Sequence, residues 1–273
     1  VELKRRPLRR NVGSALGAFC ACVFIFLMAP SLIVIPMAFS SSAFLGFPPP
    51  GFSLQWFQEY FSDPQWQSAT WRSLRVALAV TVLATAVGTM LALGAARRRG
   101  WSRTALNALI VSPMVLPVIV YAVAIYGLYT QLRLMGTDLG LILAHTILAV
   151  PLVFLTVGAT LSRHDVSLAQ AAASCGANGW RTFWLVTLPL IRPGVVAGAL
   201  FAFITSFDEV VVSVFIGGLE STLPKKMFDD IRWDIKPVVA AIATLLIGVT
   251  ALVLLLAGQS RRILVAGAER EDR

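Results

Sequence analysis

Residues 170–194 read QAAASCGANGWRTFWLVTLPLIRPG, a run of small residues, glycines, aromatics and prolines inside an otherwise oily chain. Ala171, Ala172 and Ala173 favour helix, Gly176 and Gly179 break or cap it, and Asn178-Gly179-Trp180 reads as a turn. Trp180 to Leu188 can form a second short helix, which Pro189 and Pro193 are expected to stop. The stretch therefore predicts a helix, a turn and a second helix: a compact knob whose small residues let another protein approach closely.

On both sides of the knob the chain is apolar. Of its 273 residues 57% are hydrophobic and 14% charged, with a mean hydropathy of +0.77. A soluble domain of this length cannot hide that much apolar surface in one core, so lipid is the expected solvent. A spanning helix needs about 20 mainly apolar residues. Six segments qualify, at 12–40, 73–96, 105–130, 139–161, 195–218 and 237–258. The fold class expected is all-α: a polytopic membrane protein of six transmembrane helices. The first segment follows a basic run and resembles a secretory signal, but its apolar stretch is longer than a signal core, so an uncleaved first helix is expected.

The net charge of +9 lacks the clustered basic face that nucleic acid would need, so no nucleic-acid partner is expected. The charge follows topology instead. With a cytoplasmic N-terminus, 16 of the 23 basic residues fall on the cytoplasmic side. The other side holds seven basic residues beside seven acidic ones. The positive-inside rule then predicts cytoplasmic N- and C-termini and places residues 170–194 in the cytoplasm. The resulting organisation is a tail (1–11), a six-span domain (12–258) and a second tail (259–273). The six-span domain has outer loops at 41–72 and 219–236 and a cytoplasmic loop at 162–194. The first outer loop is rich in Phe, Trp and Tyr, which suits a membrane interface, and predicts a short helix from about Leu54 to Phe61 with Ser53 as N-cap.

Prolines 30, 36, 113, 117 and 151 bend their spans, either for gating or only for packing. Cys20, Cys22 and Cys175 have no metal-ligand spacing and are assigned no role. His145 is expected to hydrogen-bond between helices, with a proton relay as the alternative reading.

The fifth span carries Asp208 and Glu209 side by side. Each would cost about 2.5–3.5 kcal/mol at a lipid-facing helix centre, so both are expected to face protein or water. On a continuous helix Ala202, Ser206, Glu209 and Ser213 form one small, polar stripe, with Thr205 and Asp208 beside it. Two readings stay open: a translocation path lined by Thr205, Ser206, Asp208, Glu209 and Ser213 that attracts a cationic substrate, or an ion-pairing or capping role at a helix break near Ser206.

No phosphate-binding Gly-x4-Gly-Lys-Ser/Thr, no His-Glu-x2-His and no Gly-x-Ser-x-Gly is present, so no catalysis is expected and any energy must come from a partner. The knob resembles the EAA loop of binding-protein-dependent ABC import permeases, a Glu-Ala-Ala pattern with a glycine four residues on and a later Leu-Pro. Ala171, Ala172, Gly176, Leu188 and Pro189 match it. GFSLQWFQEYF (51–61), SLRVALAVTVLATAVGTMLALG (73–94), SPMVLPVIV (112–120) and SFDEVVVSVFIGG (206–218) also resemble spermidine/putrescine-type permeases. Two positions depart: Gln170 stands where the family has glutamate, and Cys175 where it has leucine.

The resemblance implies a type I ABC importer permease fold in the bacterial cytoplasmic (inner) membrane, with Gln170, Ala171, Ala172, Gly176, Ala177, Trp180 and Arg181 coupling to an ATPase. It implies a second permease subunit, either a related chain or a copy of this one, two ABC ATPase subunits, and an extracytoplasmic substrate-binding protein docking on the outer loops. No cofactor is expected in this chain; ATP and magnesium belong to the ATPase. A polyamine or similar organic cation is the expected cargo. Ferric iron, thiamine, phosphonate, and amino-acid or opine-like compounds are the alternatives within the class, and an ion-coupled secondary transporter is the alternative outside it.

Overall fold

The computed structural model describes residues 8–163, 167–233 and 236–252. The helices are, in chain order, α1 (Leu8–Ala38), α2 (Gln55–Ser62), α3 (Pro64–Ala96), α4 (Trp101–Val115), α5 (Val118–Leu132), α6 (Asp138–Leu161) and α7 (Ser167–Ser174). They continue with α8 (Gly179–Thr182), a π-helical turn (Phe183–Thr187), α9 (Leu188–Phe207), α10 (Val211–Ile216), α11 (Leu223–Trp233) and α12 (Val238–Leu252). Among the described residues there is no strand, only an isolated bridge between Ser40 and Phe52.

Four helical stretches are long and apolar enough to cross a membrane: Leu16–Ala38, Pro64–Ala96, Asp138–Leu161 and Gly179–Phe207. The pair α4 and α5 makes a fifth if taken as one span, but it is bent by 98° at the Leu116-Pro117 step. A straight helix over 105–130 is therefore corrected to a broken one. Pro117 has no amide hydrogen to continue the ladder, and the residue before a proline is pushed out of helical geometry. Leu116 accordingly lies at φ −75°, ψ 134°. The fifth predicted span, 195–218, is also interrupted, because α9 ends at Phe207 and α10 begins only at Val211. Of the sixth, α12 covers 238–252; its remaining residues, the C-terminal tail and most of the N-terminal tail lie outside the described residues.

The chain divides into two compact units, residues 65–229 and residues 1–64 with 230–273. In the first, α3 buries Trp66, Ala69, Ser73, Val76, Ala77, Val80, Ala84 and Ala92, the three-and-four spacing of one helix face. The closest helix pair is α6 with α9. On α9 the buried residues are Ile191, Gly194, Gly198, Ala202 and Ser206, a seam of mostly small side chains every three or four positions. Lipid tails are as apolar as leucine, so close backbone approach and hydrogen bonding, rather than burial from water, hold such helices together. A Cβ at Gly198 would stand 2.7 Å from Thr156 Oγ1 and 3.1 Å from the Val153 Cα, so only glycine permits this contact. Thr156 and Thr160 direct their hydroxyls to carbonyls of their own helix, at 2.9 Å (Leu152) and 3.0 Å (Thr156), so the seam carries no orphaned donor from them.

In the second unit, Trp56 of α2 donates its indole N–H to the Ser40 carbonyl at 2.7 Å, Ser53 N donates to Phe39 O at 2.7 Å, and Phe39 packs on Phe57 with ring centroids 5.1 Å apart. These contacts fold the chain after α1 back on itself. The short helix starts at Gln55 rather than Leu54, and Leu54 takes the N-cap position; the Ser53 hydroxyl instead accepts from Gln55 N at 3.1 Å, one residue earlier in the helix than a capping hydroxyl usually reaches.

Candidate functional site

The knob takes shape from local rules. α7 contains Gln170 to Ala173 and ends in a paired cap: Ala177 N donates to Ala172 O and Gly176 N to Ala173 O, both at 3.0 Å. This Schellman arrangement requires a left-handed residue at the turn, which Gly176 supplies at φ 85°. Asn178 then caps α8, its side-chain oxygen accepting from Arg181 N at 2.9 Å. Gln170, Ala171, Gly176, Trp180 and Arg181 are exposed, while Ala172 and Ala177 are half-buried. Trp180, Phe183 and Trp184 form an aromatic cluster, with the two tryptophans 5.6 Å apart edge to face. Trp180 stays 70% exposed, so the hairpin offers a surface of small residues flanked by a large aromatic.

Contrary to the expectation from Pro189 and Pro193, the second helix of the knob does not stop there; it runs on into α9 through Phe207. The reason is the π-helical turn. Leu188 N bonds to Phe183 O, five residues back, and Pro189 then falls in the first turn of α9, where its missing donor breaks little. Pro193 lies inside α9, where spanning helices tolerate proline.

The acidic pair stands at a break, not on a continuous stripe. Asp208 terminates α9, its N–H bonded to Ile204 O at 3.0 Å, and its side chain is exposed. Glu209 is half-buried and its Oε1 accepts from Val212 N at 3.0 Å, so from the position before the N-cap, Val210, it caps a free amide in the first turn of α10. Ser213 is fully buried and donates to the Glu209 carbonyl at 2.9 Å. Ser206 is buried in the α6 seam, its hydroxyl 3.0 Å from His145 Nδ1, and Thr205 is half-buried. Of the five residues read as path-lining, Asp208 is therefore open, Glu209 and Thr205 partly so, and the two serines are engaged inside the chain. The His145 contact is interhelical, joining α6 to α9. Chemically, among the described residues, the break presents one exposed carboxylate, Asp208, and one held by an amide, Glu209.

A second cluster centres on a buried arginine that the span and motif patterns do not point to. Arg72 of α3 is only 2% exposed. Its Nε donates to Asp138 Oδ1 at 2.8 Å, Nη1 to Gly217 O at 2.9 Å and to Glu220 O, and Nη2 to Gly136 O at 3.2 Å. Arg75 approaches the other Asp138 oxygen at 3.7 Å. A cavity of about 460 Å³ adjoins it, lined by Ser68, Trp71, Arg72, Arg75, Glu220 and Ser221. The signal was in the phase of α3: Arg72 sits three residues after Ala69 and four before Val76, on the buried face.

The chain matches the family described as "binding-protein-dependent transport system inner membrane component" over residues 84–265. It is 32% identical, over 85% of its length and 90% of the relative's, to the spermidine/putrescine transport system permease protein PotC of Haemophilus influenzae. It is 30% identical, over 84% of each chain, to the putrescine transport system permease protein PotI of Escherichia coli K12. In fold it resembles a chain in the crystal structure of a bacterial ABC transporter involved in the import of the acidic polysaccharide alginate, with a TM-score of 0.70 over 96% of this chain and 99% of that one at 14% identity.

Proposed function

Because the chain belongs to the family of binding-protein-dependent transport system inner membrane components, we propose that it is a permease half of an ATP-driven polyamine importer, coupled through the exposed 167–187 hairpin to separate ATPase subunits. It is a non-catalytic ABC importer permease. The observation that carries the coupling is the hairpin itself: a capped helical turn with exposed small residues and an exposed tryptophan, joined to α9 by the π turn without a break. A push on the hairpin is transmitted along α9 to the break that bears Asp208 and Glu209.

Gln170 keeps the size and hydrogen-bonding capacity of a glutamate and loses its charge, so docking by shape rather than by an ion pair fits this chain. Six spans and cytoplasmic termini complete the reading: α1, α3, the bent α4–α5 pair, α6, the α8–α10 run and α12. The charge distribution supports that orientation in the cytoplasmic membrane. A second permease subunit would close the path, and an extracytoplasmic binding protein would deliver cargo to the loops at 41–72 and 219–236. Rocking of the spans between two access states would follow ATP-driven closure of the ATPases.

The polyamine assignment draws on the cargo for which the relatives PotC and PotI are named and on the carboxylates at the break. Equilibrium binding of putrescine, spermidine, thiamine and ferric iron to the cognate binding protein tests it. Binding of the amines alone is expected; selective binding of another compound reassigns the cargo and leaves the permease class intact.

A further inference from the structure

α10 has six residues and a length of about 9 Å. A helix that short has no stability of its own, because nucleation costs more than so few hydrogen bonds return. Its position is set by the packing of Val212 and Ile216, both fully buried in the core, and by what holds its ends. At the N-terminal end the hold is Glu209, whose carboxylate accepts Val212 N. At the C-terminal end it is Arg72, which donates to the carbonyl of Gly217, the C-cap of α10, and to Glu220 just beyond. The same guanidinium reaches Gly136 in the α5–α6 loop and Asp138 at the start of α6.

The two loops meet backbone to backbone. Gly136 N donates to Ile216 O at 2.9 Å, and a Cβ on Gly218 would stand 2.6 Å from the Gly136 Cα. The approach leaves no room for side chains, so the link between these loops is the backbone contact and the Arg72 fork. Ser73 adds a bond from Leu223 N at 2.8 Å, tying α11 to the same turn of α3.

We propose that Arg72 is a positioning residue for transport: by clamping the far end of α10 to α3 and to the start of α6, it fixes the break where Asp208 and Glu209 stand. The inference rests on reading those carboxylates as part of the cargo path, but its geometric content is separate from that reading. Arginine is required because the role needs several donors in one plane; lysine can keep the charge beside Asp138 but cannot reach three carbonyls at once.

The test uses the full importer in proteoliposomes, with Cys20, Cys22 and Cys175 changed to serine and one reporter cysteine at Val210 in the break or at Arg98 beyond the other end of α3. The assembled importer is labelled with maleimide for increasing times, and the label is read on this chain after the subunits are separated. Arg72→Gln is expected to speed labelling at 210 by about fivefold, the lower end of site-to-site coupling, with no change at 98. Arg72→Lys should fall between it and the parent, and carries the measurement if the Gln variant does not assemble. In reporter-free protein, both variants should raise the KM for cargo more than they lower kcat. Unchanged labelling at 210, or equal increases at 210 and 98, overturns the proposal. If Asp208→Asn with Glu209→Gln leaves uptake intact while Arg72 variants still open position 210, the path reading fails and the positioning role stands.

Discussion

Gly176 shows how much a single residue can decide. At φ 85° an L side chain costs about 1–2 kcal/mol, although the space around the position is open. Gly176→Ala is therefore expected to loosen the hairpin and reduce co-purification of the ATPase subunits, while Gly179→Ala, a few residues away with no clash and no left-handed backbone, leaves it unchanged. Quantitative pull-down of the ATPase by each variant makes the comparison. At the break, Asp208 is the open carboxylate and Glu209 the capping one. Asp208→Asn should raise the transport KM for a polyamine about tenfold, equivalent to ~1.4 kcal/mol, with little effect on stability. Glu209→Ala should also destabilise the fold by about 1 kcal/mol through the lost cap. Steady-state uptake and thermal unfolding of both variants separate the two effects. Gly176 was legible from sequence because turn chemistry is local. The capping role of Glu209 was only one of two open readings, since no glycine or proline between Phe207 and Val211 announces that the helix stops there. Arg72 could be found only from its phase on α3, because its partners lie more than 60 residues away in the chain.

Among the elements, the α6–α9 pair sets the frame. Gly194, Gly198 and Ala202 let the backbones meet, and His145 bridges to Ser206 across the same seam. Gly198→Val would press a side chain against Thr156 and the Val153 backbone, and overpacking of this kind costs about 1–3 kcal/mol. A lower unfolding midpoint in detergent, read by fluorescence-detected gel filtration, is the expected outcome; an unchanged midpoint would show that the helices can separate without loss. The hydropathy pattern located the long apolar helices because the 20-residue criterion is coarse. It could not foresee the 98° bend at Pro117 or the π turn before Pro189, since a proline in a span can kink, break or be absorbed, and the outcome depends on which neighbours satisfy the freed carbonyls. The polar stripe on α9 was misplaced for a related reason: helical spacing was extended through Asp208 to Ser213, past the end of the helix.

At the scale of the whole molecule, the all-helical membrane architecture was readable from composition and span spacing, and the family from the resemblance of the hairpin motif and its flanking segments, which the match over residues 84–265 bears out. Charge asymmetry supplied an orientation; reporter fusions to the 97–103 and 133–137 loops should report opposite sides of the membrane. The hairpin, the π turn and the broken span at 208–210 lie on one continuous run of chain, and the proposed coupling of ATP hydrolysis to cation passage runs along it. The direct measurement is uptake of radiolabelled putrescine or spermidine into proteoliposomes containing this chain, its partner permease, the ATPase and the binding protein. Coupling through the hairpin predicts uptake that requires hydrolysable ATP and is lost when the ATPase is omitted. Uptake that proceeds on an ion gradient with the ATPase absent would contradict it.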